Sequence, residues 1–400
     1  METVAVMALR TTTGPRTVHR SRTERIPVFV PRTGIDTIKH VVDALDVGWL
    51  GMGATTKAFE DAIAAFLGLD GDRFVIATNT GTSALHLAVI EAGVGDGDEV
   101  IVPSFNYVAD HQAITAAGGA VVMCDIREDD LGLDTAAIEA LIGPKTKAIL
   151  PLHFAGVPCD VAGIYALAQK HGLRVVEDAC HAFGSTVDGE RIGAAGDIVT
   201  FSFDPVKICT SIDGGAVIVR GADALARVQR MRLLGVDKDT SERYKNRRAW
   251  DYDVISEGYR YHLTNIMASI GLSQVARAED FMASRREVCE RYSAAFSPHS
   301  AYRVLRTDFS DVSPFIYSLR VLEGRREAFI RYLDERNIDC GVHFIPVHRH
   351  EWFRNARRGP MDVTERVCAE VVTLPLHSEM AEAHVERVIE AVVSFAQHQG

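Results

Sequence analysis

Ile198-Val199-Thr200-Phe201-Ser202-Phe203-Asp204-Pro205-Val206-Lys207 passes from an alternating, β-branched run into a proline turn that ends on a lysine, a few residues before the glycine pair Gly214-Gly215. The run has the period and composition of a strand, so Ser202 and Lys207 are carried at or just beyond its end. Upstream, Leu173-Arg174-Val175-Val176-Glu177-Asp178 reads as a buried parallel strand with an acid at its C-terminal end, where open α/β sheets place their ligands. A lysine amine held away from bulk water can form a Schiff base with a carbonyl compound. Read singly, Lys207 is a loop lysine and Asp178 a helix cap. Strand, acid, serine and lysine together fill the roles that pyridoxal phosphate requires, with Asp178 as the anion that keeps the ring nitrogen protonated.

A third segment adds a place for the phosphate. Phe74-Val75-Ile76-Ala77 reads as a strand, and Asn79-Thr80-Gly81-Thr82-Ser83 opens the helix that follows it. Gly81, Thr82 and Ser83 thereby offer free backbone N–H groups and two hydroxyls at a helix N-terminus, a site for a dianion as well as an ordinary capping pair. From Ile26 to about Asp280 apolar strands alternate with helical stretches such as Thr55–Leu67, Ser83–Ala92 and Ala162–His171. That alternation predicts an α/β fold, a large domain over 26–280 with a mostly parallel sheet flanked by helices. A charged helix from Ala276 to Phe296 leads into a smaller C-terminal α+β domain over 281–400, with a strand near Phe315–Val321 and helices near Arg325–Arg336 and Ala381–His398. Residues 1–25 mix Thr, Arg and Ser without periodicity and read as a flexible tail.

These motifs, in this order, resemble the fold-type I, pyridoxal-phosphate-dependent sugar aminotransferases of the DegT/DnrJ/EryC1/StrS family, from about Ile26 to the C-terminus. The match includes Gly48-Trp49-Leu50-Gly51, Pro103-Ser104-Phe105-Asn106-Tyr107, Pro151-Leu152-His153-Phe154, Glu177-Asp178-Ala179-Cys180-His181-Ala182 and Leu374-Pro375-Leu376-His377. The resemblance implies that Tyr107 stacks on the cofactor ring, that Asp178 pairs with its nitrogen and that His181 lies close to it. It further implies that Ser202 supplies a second phosphate-binding hydroxyl and that Lys207 carries the Schiff base. On the residues alone Tyr107 reads first as a core tyrosine with a satisfied hydroxyl, and a plain buried histidine is the alternative for His181. The chain also departs from the family pattern. Gly258-Tyr259-Arg260-Tyr261-His262 stands where relatives often carry Gly-Tyr-Asn-Tyr-Arg, in the stretch that reaches the neighbouring subunit's site. Arg260 is expected at the cofactor phosphate, at a substrate diphosphate, or paired with a surface acid. Asp213 replaces the more frequent glutamate, and Asp204 stands beside the lysine where many relatives have histidine.

Composition sets the outer limits. A net charge of -11 over 400 residues excludes nucleic acid as an expected partner, because phosphate backbones require clustered basic surface. Seven cysteines, an odd number without paired spacing, fit reduced thiols in the cytoplasm. No stretch approaches the roughly 20 apolar residues that span a bilayer. His343, His348, His350 and Glu351 crowd together, but their spacing matches no metal pattern, and no metal is expected. The resulting expectation is a homodimer with shared active sites that transfers an amino group from L-glutamate to a nucleotide-linked keto-sugar, a 4-keto-6-deoxyhexose before a 3-keto sugar or keto-cyclitol. A dehydratase of the same fold would carry histidine in place of Lys207. A non-catalytic pyridoxal-phosphate-binding regulator would be expected to lack that lysine or to add a DNA-binding module.

Overall fold

The computed structural model describes residues 25–237 and 252–397. The flexible tail expected over residues 1–25 lies outside that range, save for Arg25. In the first part of the chain the strands are β1 (Arg73–Thr78), β2 (Glu99–Pro103), β3 (Ala120–Cys124), β4 (Thr146–Ile149) and β5 (Arg174–Asp178). A short antiparallel pair, β6 (Thr186–Val187) and β7 (Glu190–Arg191), precedes β8 (Ile198–Ser202) and β9 (Gly215–Arg220). The remaining strands are β10 (Tyr302–Val304), β11 (Tyr317–Val321), β12 (Arg357–Arg358) and β13 (Val371–Leu374).

Eight of these strands form one sheet in the order β1-β9-β8-β5-β4-β2-β3-β12. It is the expected α/β sheet. Only β9 runs against its neighbours, β1 and β8; the other pairs are parallel. Every residue of β8 is buried, as a strand covered on both faces requires. Successive residues serve opposite faces. Val176 and Ile198 pack with Ala84, Leu87 and Val228 from the helices Gly81–Glu91 and Ala222–Arg232. Val175 packs on the other side with Ile138, Ile164 and Leu167, and Val199 with Phe59 and Ile63.

The smaller lobe is built on the antiparallel sheet β10-β11-β13, whose core holds Tyr292, Phe296, Leu319, Phe329, Leu374 and Phe395. A single helix, Ala278–Phe296, joins the two cores: Phe281 and Met282 lie in the first and Val288 to Phe296 in the second. A separate helix, Asn265–Val275, precedes it. The lobe also returns to the large sheet, since β12 pairs in parallel with β3 at the edge. Asp125, just past β3, accepts hydrogen bonds from the Thr364 amide at 2.8 Å and hydroxyl at 2.7 Å, filling orphan donors at the start of the helix Asp362–Glu370. Among the described residues no helix is long and apolar enough to cross a membrane, and all seven cysteines are free.

One buried ion pair braces the strand that leads into the candidate phosphate loop. Glu60 Oε1 accepts from the Ala77 amide at 2.9 Å and from Arg232 Nη1 at 2.5 Å, while the same guanidinium nitrogen donates to the Ala77 carbonyl at 2.8 Å. Both side chains are almost fully buried. Removing one partner of such a pair strands the other charge, at a cost of about 3–5 kcal/mol. Glu60→Ala is therefore expected to lower the free energy of urea unfolding by that amount, and an unchanged midpoint would show that Arg232 finds another anion.

Candidate active site

The C-terminal ends of β5 and β8 open into a cavity of about 510 Å³, lined among others by Thr80, Gly81, Thr82, Tyr107, Asp178, His181, Ser202 and Lys207. Parallel pairing aligns Asp178 with Thr200, so the acid and the start of the lysine turn leave the sheet side by side. Asp178 is buried, and its Oδ1 accepts from the Cys180 amide at 2.9 Å. The lysine turn is held from within by Asp204, whose carbonyl accepts from the Lys207 amide at 3.0 Å and whose Oδ1 accepts from the Val206 amide at 2.9 Å. Lys207 Nζ lies 4.1 Å from the centre of the Phe315 ring. Burial pushes its pKa below the ordinary lysine value against the opposing pull of Cys180, Asp178, Asp204 and Asp110.

At the other end of the cavity the helix Gly81–Glu91 begins on the N-cap Thr80. The Thr80 hydroxyl accepts from the Ser83 amide at 2.9 Å, and Ser83 Oγ accepts from the Thr80 amide at 3.1 Å. This reciprocal cap turns Ser83 inward, where its hydroxyl also donates to Asn79 Oδ1 at 2.8 Å. Ser83 consequently does not line the cavity, whereas Thr80, Gly81 and Thr82 do. The amides of Gly81 and Thr82, in the first turn, have no partner within the helix. A methyl group on Gly81 would stand 2.8 Å from Ser202 Cβ and 2.9 Å from its Oγ, so glycine alone lets the helix start approach that hydroxyl. Gly215 is similarly constrained, because a methyl there would meet the Thr80 carbonyl at 2.4 Å.

Aromatic rings form the walls. His181 packs 4.4 Å from Phe315 and 5.8 Å from Phe344, centre to centre. Burial, followed by the charge of Lys207, holds its pKa well below the usual histidine value. Tyr107 is 59% exposed and borders the cavity, which removes it from the core and leaves its ring 6.1 Å from Phe344. Arg260 is exposed and, bridged by its backbone to Leu233, is not among the residues lining its own chain's cavity. His343, His348, His350 and Glu351 take separate paths. His343 Nδ1 lies 2.8 Å from Thr373 Oγ1, His348 sits between Ser104 Oγ at 2.7 Å and Glu365 Oε1 at 2.6 Å, and Glu351 pairs with Arg354. Among the described residues no group of His, Cys, Asp and Glu is arranged to hold a metal.

Sequence reasoning missed Thr80, Asn106, Asp110, Phe315 and Phe344 at the cavity. Thr80 carried a readable signal, a threonine three residues before a serine at a helix start. For Asp110 and the two phenylalanines the signal is tertiary.

The cavity lysine yields a test that needs no ligand. Because burial lowers its pKa, the unfolded chain binds its proton more tightly, and stability rises with pH in the window between the folded value and about 10.4. Lys207→Met removes that penalty. The variant should be more stable than wild type in apo-protein melts at pH 7, by a margin that narrows as pH climbs towards 10; a constant or reversed margin would show that the amine is not charged at a cost.

Known proteins resemble this chain over most of its length. The sequence profile of the DegT/DnrJ/EryC1/StrS aminotransferase family matches residues 31–393. The chain is 33% identical over 391 residues to the spore coat polysaccharide biosynthesis protein SpsC of Bacillus subtilis, covering 93% of this chain and 97% of that one. Among solved structures, the aminotransferase TlmJ from Streptoalloteichus hindustanus superposes with a TM-score of 0.87 at 32% identity, covering 94% of this chain and 100% of the other. The putative sugar aminotransferase Spr1654 from Streptococcus pneumoniae, in its PMP form, gives 0.85 at 29% identity, covering 93% and 99%. The fold, the ordered motifs and a profile match over nearly the whole chain lead to one conclusion: this protein belongs to the DegT/DnrJ/EryC1/StrS aminotransferase family.

Proposed function

We propose that the protein is a pyridoxal-phosphate-dependent aminotransferase that moves an amino group from L-glutamate to a nucleotide-linked keto-hexose, with a 4-keto-6-deoxyhexose as first choice. The observation that carries this reading is one cavity containing a lysine amine, a buried aspartate, and a helix start with a hydroxyl against it. Those features fit the cofactor at both ends. The Gly81 and Thr82 amides, with the hydroxyls of Thr82 and Ser202, suit a phosphate dianion, and Asp178 suits a protonated ring nitrogen. Solved relatives bear on the cofactor too, since Spr1654 is known in PLP and PMP forms.

When bound, the cofactor supplies an electron-withdrawing ring that stabilises negative charge at the carbon losing its proton. The chain supplies the rest. Lys207 holds the cofactor through its amine and afterwards acts at Nζ as the base and acid that moves the proton. Its lowered pKa favours the neutral amine that proton removal requires. Asp178 keeps its negative charge against the ring nitrogen, while Tyr107 and His181 flank the ring.

The active unit in this reading is a cytoplasmic homodimer. The helix Ile35–Asp46 leaves Ile35, Ile38, Val42 and Leu45 exposed at intervals of three and four residues, continued by Val47 and Leu50. A second copy would cover this stripe, and Arg260, outside its own cavity, would enter the partner's site.

Four outcomes are expected. Lys207→Ala should abolish steady-state turnover, with normal turnover refuting the assignment. Asp178→Asn should retain the cofactor while kcat falls by orders of magnitude, whereas near-normal kcat would make the acid structural. Mixing Lys207→Ala with Arg260→Ala subunits should restore activity in verified heterodimers, in which one site carries both defects and the other neither; no recovery would place Arg260 within its own subunit. Finally, a mass-change screen with glutamate should show amination of nucleotide-linked 4-keto hexoses ahead of 3-keto hexoses and keto-cyclitols, and the reverse order would replace the preferred substrate.

A further inference from the structure

Beside Asp178 lies a second acid with no part in the scheme above. Asp110 sits in the first turn of the helix Val108–Ala116, is 1% exposed, and lines the same cavity. Asn106 Nδ2 donates to its Oδ2 at 2.5 Å, but Oδ1, fully buried, accepts no hydrogen bond among the described residues. A helix N-terminus favours an acid, but burial of an unpaired carboxylate costs more than such a cap returns. The groups facing Asp110 are Asp178, Lys207 and Cys180. Asp178, also buried, lines the same cavity, and its charge bears on Asp110 ahead of that of Lys207. Two ionised carboxyls can only accept hydrogen bonds, whereas one proton between them makes a bond and halves the buried charge.

We propose that Asp110 and Asp178 share one proton, carried on Asp110, so that Asp110 is a positioning residue that holds the ionised Asp178 in the orientation needed at the cofactor's ring nitrogen. The inference rests on the cofactor reading given above. Burial, and after it the charge of Asp178, raise the Asp110 carboxyl well above the usual carboxylate range, with the Asn106 amide pulling the other way. The arrangement satisfies two needs at once. The pair keeps one negative charge for the ring nitrogen, and the proton supplies the hydrogen bond that fixes the carboxylate bearing it.

The decisive measurement is made on apo-protein, so that its failure can be told from a failure of the cofactor assignment. Infrared spectra of wild type and Asp110→Asn at pH 7 should differ by the carbonyl stretch of a neutral carboxylic acid, present in wild type and absent in the variant. A difference spectrum without that band overturns the proposal. A second readout uses the loaded enzyme. Asp110→Asn, which retains a donor, should leave the pH midpoint of the cofactor's absorbance unchanged, whereas Asp110→Ala should move it by about one pH unit or more. Equal shifts in both variants, or none in either, would reduce Asp110 to a packing residue.

Discussion

Parallel pairing of β5 with β8 is the constraint on which the site depends. It aligns Asp178 with Thr200, so that an acid from one strand and the serine and lysine turn from the next emerge together at the C-terminal end of the sheet, a placement that local sequence could not otherwise coordinate. The reversed strand β9 then closes behind β8 and packs Gly215 against Thr80, pressing the helix start towards Ser202. The rest of the large lobe can be seen as support for these contacts, with the Glu60 and Arg232 pair tying β1 to two helices just before the loop begins.

The small lobe contributes in a different manner. Its segment Val342–Phe344 lines the cavity, and this segment is anchored to the large lobe through His348, which bridges Ser104 and Glu365. The edge pairing of β12 with β3 and the hydrogen bonds of Asp125 to Thr364 act in the same direction. Phe344 and Phe315 thus meet His181 as a preformed aromatic wall. Such a wall limits the water around the half-buried Lys207 and adds to the desolvation that favours its neutral amine.

Much of this was legible in the sequence because it is encoded locally. The run Val175-Val176 before Asp178, the alternation from Ile198 to Phe203, and the threonine and serine at the helix start each carry the period or cap of their element. Other features have no local code. Gly81 reads as an ordinary helix-start glycine, and what demands glycine there is Ser202 on a distant strand, whose Cβ would stand 2.8 Å from an added methyl. Tyr107 resembles a core aromatic in isolation, and its exposure follows from its place at the mouth of the cavity. Arg357 and Arg358 carry no strand pattern, and their pairing with β3 is a tertiary event. Asp110 is the extreme case, since nothing near it in sequence announces the carboxyl it faces.

The central claim is that the cofactor is held covalently by the amine inside this cavity. Borohydride reduction of the protein loaded with pyridoxal phosphate, followed by proteolysis and mass spectrometry of the peptides, tests it directly. The account predicts one phosphopyridoxyl adduct per chain, on Lys207. An adduct confined to any other lysine, or a loaded protein that acquires none, would contradict it.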